Sequence, residues 1–139
     1  MLGSPICTDT FTREYYRKML PKIHAIIADV DPVTDNLIHF RFLQQSVAGK
    51  VRVKLRIVTP MLGRDFAAAV DDALANAFLD RAYPCWKDDD DVSLGHYVAA
   101  LQAELAVGGL GMGSLKSTQP AHYWNATCKG REGVLRAIT

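Results

Sequence analysis

The spacing of apolar residues changes twice along this chain, and that change limits the folds it can adopt. From residue 9 to 30 apolar side chains recur every three or four positions, which predicts an amphipathic helix with one buried face. Between residues 37 and 58 they alternate with polar side chains, and from residue 64 the helical spacing returns. Helical segments on both sides of an extended segment predict a mixed α and β structure.

The alternating segment predicts an antiparallel hairpin. Residues 37–44 and 50–58 alternate apolar with polar side chains, as a strand does when one of its faces is buried. Residues 45–49 between them are short enough for a hairpin loop, and Gly49 can adopt the positive φ that such loops use.

Two more helices are predicted after the hairpin, over residues 64–81 and 93–107. Pro21 lacks a backbone donor, so we expect the first helix to bend or divide near that residue. Residues 108–119 predict a flexible glycine-rich loop, and residues 120–139 an irregular tail in which a short strand can add to the hairpin. The predicted fold is thus one α+β domain over residues 1–139, with helices packed on one face of a small antiparallel sheet.

Composition excludes several classes of protein. The hydrophobic fraction of 49% and the charged fraction of 22% match ordinary globular domains rather than disordered or fibrous chains. The net charge of +1 excludes a positive field over the whole molecule, so any function driven by charge needs a local patch. No apolar run has the length of a membrane helix and no secretory signal pattern is present, so we expect a cytoplasmic protein without membrane association.

The outward face of the predicted hairpin is the strongest functional feature. It carries five basic side chains and no acidic one: His39, Arg41, Arg52, Lys54 and Arg56. Cations spaced along a strand can contact successive phosphates or an acidic protein surface. This face predicts a non-catalytic binding or regulatory module whose partner is a nucleic acid or an acidic protein. The same residues also suit an ordinary solvated sheet face, where they discourage aggregation at an edge.

A second interpretation is a structural subunit that forms homo-oligomers through its apolar helix faces. The acidic run Asp88–Asp91 would then dock onto the basic hairpin of a neighbouring copy. The run also precedes a predicted helix, where carboxylates interact favourably with the helix dipole, and it lacks the spacing of a calcium-binding loop.

A third interpretation is a small enzyme. Cys85 and His96 flank the acidic run, and a histidine can lower the pKa of a thiol and make it nucleophilic. The three cysteines form no CxxC motif, and the glycine-rich residues 108–114 lack the spacing of a phosphate-binding loop. No catalytic motif, metal site or cofactor is therefore predicted.

Overall fold

The computed structural model describes residues 8–88 and 91–138, and these ranges are helical, with no strand. They contain six α-helices: α1 (Asp9–Val30), α2 (Asn36–Arg41), α3 (Ala48–Leu55), α4 (Pro60–Ala82), α5 (Asp91–Gln102) and α6 (Leu115–Ile138). A π-helical segment, Phe42–Val47, joins α2 to α3, and short 3-10 turns occupy Trp86–Asp88 and Leu105–Val107. The predicted α+β fold is therefore wrong.

The predicted hairpin is replaced by α2, the π-helical segment and α3. A strand over residues 37–44 required Ile38 and Phe42 to share a buried face, but these side chains are 50% and 46% exposed. The side chains that are buried here lie three or four positions apart, which is the helical spacing: His39, Leu43, Val47, Val51, Leu55 and Val58. Residues 37–58 fit both the alternating spacing of a strand and the spacing of a helix. Packing against α1, α4 and α6 selects the helical conformation.

The first predicted helix is confirmed as α1, which begins at Asp9 and ends at Val30. Thr8 caps its start, because the Thr8 hydroxyl accepts a hydrogen bond from the backbone N–H of Phe11. Of the two outcomes predicted at Pro21, a bend or a division, the division is wrong, since α1 runs through this residue without interruption. Pro21 is exposed, so the carbonyl that its missing N–H leaves unpaired can bind water.

Helix α4 forms the centre of the core and packs against both α1 and α6. Its buried alanines, among them Ala67 and Ala75, let neighbouring helices approach closely. The ring of Tyr16 on α1 stacks on that of Phe66 on α4, with centroids 4.5 Å apart. No helix within the described ranges combines the length and apolar content needed to cross a membrane.

The predicted tail is also wrong, because the chain is helical from Leu115 to Ile138 and residues 122–127 form no strand. The loop ends at residue 114, not 119, and Gly108 and Gly111 take the positive φ values of 86° and 73°. Backbone hydrogen bonds tie this loop to the end of α5, since the N–H of Met112 donates to the carbonyl of Leu101.

Candidate functional site

The five basic residues predicted to share one face are separated in the structure. His39 is completely buried, and Arg41 ends α2. Residues two positions apart on a helix point in nearly opposite directions, so Lys54 lies on a different side of α3 from Arg52 and Arg56. The structure therefore keeps only Arg52 and Arg56 together.

Lys54 and Arg41 have polar partners of their own. The Nζ of Lys54 donates a hydrogen bond to the hydroxyl of Tyr15 on α1 at 3.1 Å. The Nη1 of Arg41 donates to Oε1 of Gln44 at 3.4 Å. These contacts direct the two cations toward other parts of the surface.

Arg52 and Arg56 lie near His122, because α3 packs on α6. Burial of the imidazole and the positive charges of Arg52 and Arg56 lower the pKa of His122 below its ordinary value of 6.5. Within residues 8–88 and 91–138 neither arginine pairs with a carboxylate, and the buried Nε of Arg52 has no hydrogen-bond acceptor. The positive charge at this junction of α3 and α6 is therefore not compensated by nearby acids.

Basic side chains continue along α6. His122, Lys129 and Arg136 are seven residues apart, so they lie on nearly the same face, separated by about 10 Å along the axis. We call these three residues together with Arg52 and Arg56 the basic stripe. All described residues from 128 to 138 are exposed, so the second half of α6 presents its cations to solvent.

The charges of the whole chain are strongly segregated. Residues 36–64 contain six lysines and arginines and no acidic residue, and residues 110–138 contain four and one acidic residue, Glu132. These two segments pack together through α3 and α6. The net charge of +1 thus conceals one basic region and a remainder that is mainly acidic. Segment-by-segment counting shows the segregation, but only the fold shows that the two basic segments meet.

The position of α6 is set from inside the core. The buried carboxylate of Asp71 on α4 accepts a hydrogen bond from the backbone N–H of Leu115, the first residue of α6, at 2.8 Å. Burial raises the pKa of Asp71, although hydrogen bonds from the start of α6 act in the opposite direction. With its oxygens occupied in this way, Asp71 has a structural role.

A groove of about 620 Å³ lies between the first turns of α4 and α6. Its walls come from residues 60–65 and 116–120, and they include two cations, Arg64 and Lys116, and one carboxylate, Asp65. The groove is formed by parts of the chain that lie close in sequence to the basic stripe, since α4 begins four residues after Arg56.

A separate apolar surface lies around α2 and the loop after α5. Its large apolar side chains are 46–73% exposed: Leu37, Ile38, Phe42, Leu105 and Leu110. Two neighbouring grooves on this surface share Leu37 and Arg41 as lining residues. Exposed apolar residues that cluster in this way are typical of surfaces that bind other proteins.

The predicted enzyme site does not gain support from the geometry. Cys85 and His96 are exposed, and no hydrogen bond joins them in the described structure. Asp89 and Asp90 of the acidic run lie outside the described residues, as does Cys7. Within the described ranges, no three histidine, cysteine or acidic side chains form a metal-binding cluster.

Comparison with known proteins leaves the site unassigned. The chain matches no protein-family model, no curated protein and no solved structure. The charges, grooves and exposed side chains of the protein are therefore what indicates its function.

Proposed function

We propose that this protein is a non-catalytic module that binds nucleic acid through the basic stripe. The observation that carries the proposal is the packing of α3 on α6, which brings Arg52 and Arg56 near His122 without a carboxylate partner for either arginine in the described ranges. Such a site gains free energy when phosphates replace the counterions that otherwise screen it. A cytoplasmic location is part of this proposal.

Exposed aromatic residues elsewhere on α6 favour nucleic acid over an acidic protein as the partner. Trp124 of α6 is 63% exposed and forms an edge-to-face pair with Tyr123, with ring centroids 5.7 Å apart. A helix that carries both exposed aromatic rings and cations suits nucleic acids, because bases stack on the rings while phosphates meet the cations.

The double variant Arg52→Gln/Arg56→Gln tests the proposal. Binding of a fluorescein-labelled 20-nucleotide single strand is measured by anisotropy at several salt concentrations. We expect the variant to lose about tenfold or more in affinity, and the slope of log K against log salt to fall by about one to two. The matched control is Arg17→Gln/Lys22→Gln, which removes the same charge from exposed positions of α1.

Equal losses of affinity in the double variant and its control would show that only net charge matters for binding. That result would contradict the proposal that the basic stripe is the binding site. Tight binding of poly-glutamate with no binding of the oligonucleotide would instead identify an acidic protein as the partner. The same anisotropy assay measures binding of the labelled oligonucleotide and of labelled poly-glutamate.

The apolar surface supports a second candidate function, assembly into homo-oligomers. Leu37 and Leu105 are 67% and 73% exposed, and they line one groove together. Light scattering over a concentration series should show a multimer that the double variant Leu37→Ser/Leu105→Ser dissociates. Phe11→Ser is the control, because Phe11 is an exposed apolar residue of α1 outside this surface. A monomer at every concentration would remove this candidate.

A further inference from the structure

We propose that the groove between the first turns of α4 and α6 binds one unpaired base, with its phosphate, of a single-stranded nucleic acid. This inference rests on the proposed nucleic-acid function and names the form of nucleic acid that the protein takes. A volume of about 620 Å³ lies within the range of about 300–1,000 Å³ that is typical of small-molecule pockets.

The cationic walls of the groove provide the phosphate contact. Arg64 of α4 and Lys116 of α6 both line it, and neither forms an ion pair in the part of the chain that is described. The side chain of Thr59 does not cap α4, so the N-terminal end of this helix adds its positive partial charge. Asp65 lines the groove as well and disfavours a second phosphate there.

The apolar walls suit the face of a base. Pro60, Pro120 and Met61 line the groove, and Met61 is 85% exposed. A flexible thioether adapts its shape to different aromatic partners. Trp124 lies one helical turn beyond Pro120 on the same face of α6, where the next base of a strand can stack.

The floor of the groove contains a buried side-chain amide whose oxygen accepts no hydrogen bond from the described residues. Gln119 is 2% exposed, its Nε2 donates to the carbonyl of Val58 at 3.5 Å, and its Oε1 has no donor among the described residues. Buried acceptors without a partner are uncommon in folded proteins. Because Gln119 lines the groove, the N–H groups on the edge of a bound base can donate to Oε1 once this side chain rotates toward them.

A paired base cannot meet these contacts, because its Watson–Crick edge is occupied and both of its faces are stacked. A single strand can turn one unpaired base into the groove between α4 and α6 while its phosphate meets Arg64 or Lys116. The groove therefore predicts that the protein binds a strand with bases more tightly than a strand without them. Binding to the basic stripe alone would depend only on the phosphates.

The test compares two labelled 12-nucleotide strands of equal charge, oligo(dT) and a strand in which every nucleotide is abasic. We expect the complete protein to bind oligo(dT) about tenfold more tightly at the same salt concentration. Met61→Ala and Gln119→Leu should each reduce this ratio toward one, and Arg64→Gln should weaken the binding of both strands. Val107→Ala is the control for Met61→Ala, since Val107 is an exposed apolar residue far from this part of the sequence.

The possible failures of the two proposals are distinguishable. Equal, salt-dependent binding of both strands overturns the base site but leaves the basic stripe as a phosphate-binding surface. A preference for oligo(dT) that persists undiminished in both Met61→Ala and Gln119→Leu also overturns it, because the base is then recognised elsewhere. Failure to bind either strand overturns both proposals. Loss of the preference in a folded Met61→Ala variant, with the control unchanged, supports the groove.

Discussion

The carboxylate of Asp71, in the middle of α4, accepts a hydrogen bond from the hydroxyl of Ser114 at 2.8 Å. It also accepts from the backbone N–H groups of Leu115 at 2.8 Å and Lys116 at 3.1 Å, which begin α6. One helix thus caps another from a position that is 7% exposed. The start of α6 and the direction of the basic stripe depend on this contact.

Replacing Asp71 with alanine should lower the free energy of unfolding by about 2–4 kcal/mol. The loss combines a missing helix cap with buried N–H groups that no longer have an acceptor. Urea denaturation followed by circular dichroism measures it. Asp72→Ala is the control, because Asp72 is exposed and its loss should change stability by at most about 0.5 kcal/mol. Equal effects of the two substitutions would contradict the capping role.

His39 predicts how stability changes with pH. Neither ring nitrogen of this completely buried side chain has a hydrogen-bond partner among the described residues, and a carboxylate oxygen of Asp31 is 3.9 Å from Nε2. Burial and the charge of Arg81 lower the pKa of His39 below 6.5, although Asp31 opposes this. The unfolded chain therefore binds the proton first as the pH falls, and stability decreases between pH 7 and pH 5.

His39→Leu should remove this part of the pH dependence. Leucine fills a similar volume without unpaired polar atoms, so the variant should be at least as stable as the natural chain at pH 7. Urea denaturation at pH 7.5 and pH 5.5 gives the change in the free energy of unfolding between these two pH values. This change is compared between the natural chain and His39→Leu. The exposed His96 provides the control variant His96→Leu. Parallel losses of stability in the natural chain and in His39→Leu would assign the effect to other groups.

His122 predicts the pH dependence of binding. Burial and the charges of Arg52 and Arg56 lower the pKa of His122, so its ring is mainly neutral at pH 7 and becomes charged as the pH falls. Because that charge joins the basic stripe, affinity for an oligonucleotide without terminal phosphates should rise between pH 7.5 and pH 5.5. His122→Gln should flatten the profile, while His24→Gln, on the exposed side of α1, should leave it unchanged. A natural chain with a flat profile would exclude His122 from the interface.

A pair of glycine substitutions tests the packing of α4 on its neighbours. A Cβ atom at Gly63 would lie 2.9 Å from Cδ2 of Leu55 and would also overlap the amide of Gln119, so Gly63→Ala should destabilise by about 1–3 kcal/mol. A Cβ atom at Gly49 in α3 meets no atom within 4 Å. Gly49→Ala should therefore stabilise by roughly 0.5–1 kcal/mol, since alanine favours the helix. Thermal or urea denaturation measures the change in stability that each substitution causes. A change of the same sign for both substitutions would contradict this packing.

Helices α1 and α4 could be predicted from the spacing of their apolar residues, because one long face of each contacts the core. The segment around His39 and Arg52 could not, since its residues fit both an alternating and a helical pattern. The prediction of α6 failed for a related reason. Only Leu115 and Gln119 of its described residues are buried, so the apolar pattern over most of the helix is weak.

The predicted site shared the error in the fold. Alternation placed five basic residues on one face, whereas the helical turn buries His39, directs Lys54 toward Tyr15 and leaves Arg52 beside Arg56. The part played by His122 carried no local signal in the sequence. Its position beside two arginines follows from the packing of α3 on α6, which joins residues about seventy positions apart.

By itself, the sequence determined the amphipathic helices α1 and α4 and the segregation of acidic and basic residues along the chain. Both are local properties, since each follows from the identity and spacing of neighbouring residues. The tertiary structure decided that residues 37–58 are helical and that the two basic segments meet. The physical reason is burial, because the conformation that places Leu43, Val47, Val51 and Leu55 in one core is the helix, whichever pattern their neighbours follow.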